Sequence, residues 1–74
     1  MEKETIDRLM AAAYERRGGR TGMTLREAAK DSGIGFATLS RIETGKTPDL
    51  QTFKKLCQWT GKSADYFLGL KEKG

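Results

Sequence analysis

The most constraining feature of this sequence is a pair of short helical segments separated by a turn of only three residues. The first segment, predicted over residues 25–32, begins at a capping box. In this motif the hydroxyl of Thr24 accepts the backbone N–H of Glu27, and the Glu27 carboxylate reaches back to the Thr24 N–H. Gly33 suits the left-handed position at which helices commonly end. The inward face is narrow and allows close approach of another helix, since its members are Leu25, Ala28 and Ala29.

The second segment follows Gly33-Ile34-Gly35 directly. Apolar residues recur there at helical spacing, at Phe36, Leu39 and Ile42, and the segment ends before Gly45. Two short helices joined by a glycine-bearing turn form a helix-turn-helix. We place the core of this motif at about residues 24–44.

A further helix is predicted before the motif, over residues 5–17. Thr5 is suited to cap it, and Gly18-Gly19 would end it because glycine enters left-handed conformations at low cost. The following residues up to Gly22 have the composition of a flexible basic loop. The inward stripe of this helix is predicted to contain Ile6, Leu9, Met10, Ala13 and Tyr14.

Two more helices are predicted after the motif. Thr47-Pro48-Asp49 opens the fourth, because proline is tolerated in a first turn and Asp49 can cap free amides, and Gly61 follows its end. Ser63-Ala64-Asp65 repeats the cap signature before a short fifth helix. The predicted inward residues of the two helices are Leu50, Phe53, Leu56, Cys57, Phe67 and Leu68.

These elements predict an all-α fold of five helices. No strand pattern is present, and 74 residues are too few for two separate cores, so we expect one domain over 1–74. The tail, 71–74, is expected to fray.

Composition excludes several functional classes. The chain has no histidine and one cysteine, which argues against a zinc site, an imidazole general base and an internal disulfide. No cofactor is expected, and the chain is not expected to be an enzyme. No apolar run approaches the roughly 18 residues of a membrane span, and residues 1–5 lack an apolar signal region, so a cytoplasmic protein without a membrane partner is expected.

The charge balance favours a polyanionic partner. Lys and Arg number 14 against 10 Asp and Glu, a net charge of +4. The excess lies beyond residue 17, where residues 18–47 carry five bases and three acids. Arg41, on the outward side of the second motif helix, is suited to donate two hydrogen bonds to guanine. The alternative is that Arg41 is a solvated surface residue.

Residues 23–70 resemble the DNA-binding domain of phage repressors and Cro proteins, the XRE type of helix-turn-helix. The resemblance is carried by Met23-Thr24-Leu25-Arg26-Glu27-Ala28-Ala29, by Gly33-Ile34, by Thr38-Leu39-Ser40-Arg41-Ile42-Glu43-Thr44-Gly45-Lys46 with Pro48, and by Ser63-Ala64-Asp65-Tyr66-Phe67-Leu68-Gly69. It implies a lambda-repressor-like five-helix bundle whose third helix lies in the major groove of double-stranded DNA.

The resemblance also implies which residues contact DNA. The base contacts it implies are Phe36, Ala37, Thr38 and Arg41. The phosphate contacts it implies are Thr24, Leu25, Arg26, Ser40, Thr44, Lys46 and Thr47.

The sequence departs from relatives at three positions. Leu25 replaces a glutamine that often binds phosphate, and Gly35 replaces the Ser or Thr that often caps the third helix. Phe36 stands where many relatives carry a polar residue, and two interpretations stay open. Its ring either presses on a thymine methyl or folds into the core, leaving Ala37 to meet the methyl.

Three other sets of residues have expected roles. In relatives, the glutamate that corresponds to Glu43 commonly pairs with an arginine late in the first helix. The resemblance therefore implies Arg16 or Arg17 as the partner here. Cys57 is expected to be a small buried hydrophobe, with a redox sensor as the alternative. Trp59, Tyr66 and Leu70 either fill the core or form a two-fold dimer contact.

The leading hypothesis is a sequence-specific DNA-binding transcription regulator, a repressor or a Cro- or antitoxin-like protein that binds a two-fold operator as a homodimer. The alternative is a protein-interaction module that keeps the fold without specific DNA binding, with Phe36 as an anchor for a partner such as a toxin or another regulator. A metal-dependent nuclease built on Glu27 and Asp31 has little support, since the two acids have the i and i+4 spacing of ordinary solvated pairs.

Overall fold

A computed structural model describes residues 1–70 of the protein, and the tail predicted to fray, 71–74, lies outside them. The regular structure of the described residues is entirely helical, which confirms the predicted all-α class. The elements are α1 (Lys3–Arg16), a 3₁₀ turn (Gly19–Thr21), α2 (Leu25–Ser32), α3 (Phe36–Glu43), α4 (Leu50–Thr60) and α5 (Ala64–Leu68).

The helices pack around α1, which contacts α3, α4 and α5, while α2 packs against α3 and α4. At the end closed by α5, the rings of Phe53 and Phe67 meet edge to face, with centroids 6.0 Å apart. The apolar side chains buried in the core are Leu9, Ala12, Ala13, Ala28, Ile34, Leu39, Ile42, Phe53, Leu56 and Phe67.

The caps of α2, α4 and α5 form as the sequence predicts. In the capping box, Glu27 N donates to Thr24 Oγ1 at 3.2 Å and Thr24 N donates to Glu27 Oε1 at 2.8 Å. The side chains of Asp49 and Ser63 accept first-turn amides of α4 and α5. Each cap satisfies donors that a helix start leaves without an internal partner.

The start of α1 differs from the prediction. The helix begins at Lys3, two residues earlier, and Glu2 precedes it without a side-chain cap. Thr5 is therefore the third residue of the helix, and its side chain is 2% exposed in the core. Ala12 is buried and Tyr14 is exposed, so the inward stripe is displaced from the predicted one.

The segment between α1 and α2, predicted as a loop, contains a short helical turn. Its middle forms the 3₁₀ turn, and Met23 N donates to the Arg17 carbonyl at 2.7 Å. A Cβ on Gly22 would overlap that carbonyl, so the close approach of the two chain segments requires glycine there.

Two leucines predicted to face inward are exposed. Leu50, the first residue of α4, is 75% exposed, and Leu68, at the end of α5, is 41% exposed. Both helices bury one large aromatic residue instead, Phe53 in α4 and Phe67 in α5.

Candidate nucleic-acid interface

The helix-turn-helix is held by apolar anchors on the inner side of α3. Leu39 and Ile42 are buried, and so is Ile34 in the turn between α2 and α3. The Ile34 N–H donates to Ser32 Oγ at 3.2 Å, which holds the turn against the end of α2. Because the inner side of α3 is fixed in the core, its opposite side is available to a partner.

Ala37 and Arg41 lie on that opposite side and are exposed, as is Thr44 just after the helix. Their spacing of four and three residues places them along one line of the helix surface. Ser40 is half-buried beside them. Thr38 is half-buried too, and with Arg41 and Thr47 it lines a cavity of about 240 Å³ between α3 and the start of α4.

Phe36 lies on the surface, so the interpretation that it folds into the core is wrong. Its side chain is 42% exposed and is not part of the buried cluster. The guanidinium carbon of Arg26 lies 4.6 Å from the centroid of its ring, a cation–π contact between the starts of α2 and α3. No sequence pattern links residues 26 and 36, and this contact was not predicted.

The first turn of α2 presents backbone donors beside α3. The amides of Leu25 and Arg26 belong to the first turn, where an α-helix supplies no internal acceptor, and this end of the helix carries partial positive charge. The Leu25 side chain is half-buried and packs against the core. Thr24 itself is exposed, with its hydroxyl engaged in the capping box.

The loop after α3 is tied to the end of that helix. The Arg41 carbonyl accepts the Thr44 hydroxyl at 2.9 Å and the Lys46 N–H at 2.9 Å. The side chains of Lys46 and Thr47 are exposed. Lys46 is thus carried on a loop whose backbone is fixed relative to the outward face of α3.

The end of α3 is joined to α1 by an ion pair with two hydrogen bonds. Arg17 Nε donates to Glu43 Oε2 at 2.7 Å and Arg17 Nη2 donates to Glu43 Oε1 at 3.1 Å. The side chains are only 13% and 15% exposed. Of the two arginines considered from the sequence, Arg17 therefore makes this contact, and the hydrogen bond to Glu43 raises the pKa of Arg17.

Arg17 also organises the turn that precedes α2. Its Nη1 donates to the carbonyls of Gly19 and Met23, at 3.1 and 2.9 Å. One side chain thereby connects the end of α1, the entry to α2 and the end of α3. Such a charge-assisted network is worth more than an exposed pair.

Arg16 belongs to a different cluster, on α1, α2 and α4. Its Nε donates to the Trp59 carbonyl at 2.9 Å, and its guanidinium lies 5.4 Å from the centroid of the Trp59 ring. The indole N–H of Trp59 donates to Asp31 Oδ2 at 2.8 Å. Trp59 is half-buried, and its ring and its N–H are both engaged within the chain.

The acidic and basic groups of the helix-turn-helix differ in their partners. Glu27, Asp31 and Glu43 each accept a hydrogen bond from within the chain. None of the ion pairs within residues 1–70 includes the exposed cations of the motif and its following loop, which are Arg26, Lys30, Arg41 and Lys46. The surface around α3 therefore offers positive charge with its acids engaged elsewhere.

The remaining predicted residues lie on α4 and on or just after α5. Tyr66 and Leu70 are exposed, and the Lys62 ammonium lies 4.9 Å from the centroid of the Tyr66 ring. Cys57 is half-buried, and burial raises the pKa of its thiol. A raised pKa lowers the thiolate fraction, which supports the interpretation of Cys57 as a hydrophobe over a redox sensor.

Comparisons with known proteins agree with this architecture. Residues 14–67 match the model of the helix-turn-helix family. The match covers most of the chain, which belongs to the XRE-type helix-turn-helix family of DNA-binding regulators. No curated protein and no solved structure showed significant similarity to the chain. None of the helices within residues 1–70 has the length and apolar character needed to cross a membrane.

Proposed function

We propose that the protein is a sequence-specific transcription regulator that binds a two-fold operator with α3 in the major groove. The observation that carries the proposal is the charge arrangement around α3, where the acids accept hydrogen bonds within the chain and four cations belong to none of the ion pairs within residues 1–70. A surface of this kind attracts a polyanion, while the fixed side chains of α3 provide a means of selecting a sequence.

The proposed base contacts are Phe36, Ala37, Thr38 and Arg41. Arg41 is exposed, and its fork of donors matches the O6 and N7 atoms of guanine. Ala37 lies one turn earlier and is small enough to let the helix approach the bases closely. Thr38 has the weakest support of the four, because it is half-buried toward α4.

The proposed phosphate contacts lie on both sides of α3. Before it are the first-turn amides of α2 behind Thr24, at Leu25 and Arg26, together with the Arg26 side chain. After it are Thr44, Lys46 and Thr47, and Ser40 lies on α3 itself. Contacts on two sides would hold the helix in register along the groove.

We further propose that the protein binds as a homodimer through the end of the bundle that carries Tyr66 and Leu70. Both side chains are exposed there, beside the exposed Leu68, and large exposed apolar groups favour a partner surface. Trp59 has less support, because its ring and N–H are engaged with Arg16 and Asp31. A two-fold dimer would require half-sites about 34 Å apart. The same proposal includes the role of the protein as a repressor, or as a Cro- or antitoxin-like regulator.

Selection of bound sequences from a random DNA library at two salt concentrations tests the function. Recovery of an inverted repeat, with affinity that falls as salt rises, is expected for a dimer that neutralises several phosphates. Loss of retention with salt and no recovered motif would contradict the proposal. It would favour the protein-interaction alternative, for which the exposed Phe36 would be the anchor.

A further inference from the structure

Phe36, the first residue of α3, has an exposed aromatic side chain. Burial of a phenyl ring away from water lowers the free energy. This ring is nevertheless 42% exposed, at the edge of the outward face of α3. The preceding residue, Gly35, makes no side-chain cap that would fix this end of the helix. Contacts of the ring itself therefore matter for its position.

Arg26 supplies such a contact. Its guanidinium carbon lies 4.6 Å from the ring centroid, and Arg26 belongs to the first turn of α2, which the capping box of Thr24 and Glu27 holds in place. A cation over one face of the ring restricts the orientation of the ring. This contact thus connects Phe36, at the uncapped start of α3, to the capped start of α2.

The ring also borders a shallow cavity with a particular chemistry. The cavity has a volume of about 360 Å³, and Ala29 and Phe36 provide apolar walls beside the cations Arg26 and Lys30. Glu27 is the one acid among the lining residues, and its carboxylate accepts the Thr24 N–H. An apolar surface with a cationic rim suits an apolar group carried on a polyanion.

In the major groove, the apolar group exposed on the bases is the C5-methyl of a pyrimidine. We propose that Arg26 and Phe36 form one recognition unit for this methyl group, in which the ring contacts the methyl and Arg26 is the positioning residue. The inference rests on the proposed function and adds the chemical group that the start of α3 selects. Thymine and 5-methylcytosine both carry this group.

Arg26 can position the ring and bind a phosphate at the same time. A cation–π contact does not use up the five N–H donors of a guanidinium, so donors of Arg26 remain for a phosphate. Loss of Arg26 should therefore lower the affinity for all DNA and also lower the preference for a methylated pyrimidine. Only the second effect distinguishes positioning from a phosphate contact.

The experiment uses the operator recovered by selection and replaces each thymine in turn with deoxyuridine, which lacks only the C5-methyl. Affinity of the wild-type protein should fall about three- to tenfold at one position per half-site, the loss expected for one buried methyl group. A second arm places cytosine or 5-methylcytosine at that position, and it shows which of the two methylated bases is preferred.

Four variants assign the effect to residues. Phe36→Ala should bind the thymine and uracil operators equally, and Arg26→Gln should reduce the discrimination between them. Arg26→Lys, which retains a cation, should keep part of it. The matched control is Lys30→Gln, which removes a charge from the same cavity but leaves the cation–π contact of Arg26 with the ring, and it should weaken both operators equally. Circular dichroism verifies that each variant is folded.

Three outcomes would count against the inference, and they are distinguishable. An operator bound with equal affinity whichever thymine is replaced would overturn it while leaving the proposed function intact. Full discrimination by Arg26→Gln would remove the positioning role. If no operator is recovered, the proposed function fails, and this inference fails with it.

Discussion

The two helices of the helix-turn-helix begin in different ways. The start of α2 is closed by a reciprocal capping box between Thr24 and Glu27. The start of α3 follows Gly35, which has no side chain to accept its first amides. One helix is thus fixed by residues adjacent in the sequence, and the other depends on residues distant in the sequence.

This difference matches the roles proposed for the helices. A phosphate-binding helix contacts a backbone that is the same in every sequence, so local hydrogen bonds are enough to position it. A base-reading helix needs a defined depth and rotation in the groove, and α3 obtains these from its buried Leu39 and Ile42 and from Glu43. Breaking distant contacts should therefore affect α3 more than breaking local ones affects α2.

The largest effect is expected on removing the distant contact at the end of α3. Glu43→Gln or Arg17→Met should lower the free energy of unfolding by about 1–3 kcal/mol, because each leaves a part-buried charged group without its partner. Urea denaturation measures the loss. Arg16→Met is the matched control, since the Arg16–Asp31 pair is more exposed and longer, at 3.6 Å. This variant should lower the free energy of unfolding less than Arg17→Met does. Equal stabilities for the Arg17 and Arg16 variants would contradict the account.

The local contact at the start of α2 should have the next largest effect. Thr24→Ala removes the capping hydroxyl and should cost about 0.5–2 kcal/mol. Thr47→Ala serves as the control, because Thr47 is exposed and outside any helix, and it should be close to neutral in the same thermal or urea measurement. A Thr24→Ala protein as stable as the control would show that α2 does not depend on its own cap.

A side-chain cap on α3 would remove the difference between the two helix starts. Gly35 has φ −58° and ψ 148°, which other residues adopt, and an added Cβ would meet only Thr38 Oγ1, at 4.0 Å. Gly35→Ser should therefore stabilise the protein by a few tenths to about 1 kcal/mol. Gly33→Ser is the control and should destabilise it, because Gly33 has φ +75°. Destabilisation by both substitutions would contradict this interpretation of Gly35.

The cap of α4 is a carboxylate, and we expect its removal to have the smallest effect. Hydrogen bonds from Thr52 lower the pKa of Asp49 below its ordinary value of 3.8. The stabilisation is thus complete above the ordinary value and is lost as pH falls through the lowered pKa. Asp49→Asn should remove this part of the pH dependence, which denaturation midpoints between pH 6 and pH 2, about the range in which carboxyls titrate, can measure. Identical pH profiles for the two proteins would contradict it.

How far the sequence predicts the structure depends on the distance over which each contact acts. The caps at Thr24, Asp49 and Ser63 were predictable because donor and acceptor lie within three residues. Thr5 and Leu50 were assigned wrongly, since burial depends on where neighbouring helices lie. A hydroxyl suited to a cap occupies the core in one case, and an apolar residue in phase with the core is exposed in the other.

The candidate site shows the same division. Periodicity placed Arg41 and Ala37 outside the core, and the resemblance to a known family indicated a pair between Glu43 and one of two arginines. The contact between Arg26 and Phe36 joins two helix starts through side-chain conformations, and no spacing rule covers it. The cluster of Arg16, Asp31 and Trp59 involves three helices. Arg16 and Trp59 are 43 residues apart in the sequence, so no local pattern predicts their contact.

In the proposed function, α3 reads bases while the flanking cations bind phosphates. The most direct test measures the affinities of Arg41→Ala and Lys46→Ala for the selected operator and for a scrambled duplex. Arg41→Ala should lose about 1–3 kcal/mol on the operator and relax the preference at one base pair, whereas Lys46→Ala should weaken both duplexes alike. Equal losses on both duplexes for Arg41→Ala would show that Arg41 contacts only phosphate and would contradict the account.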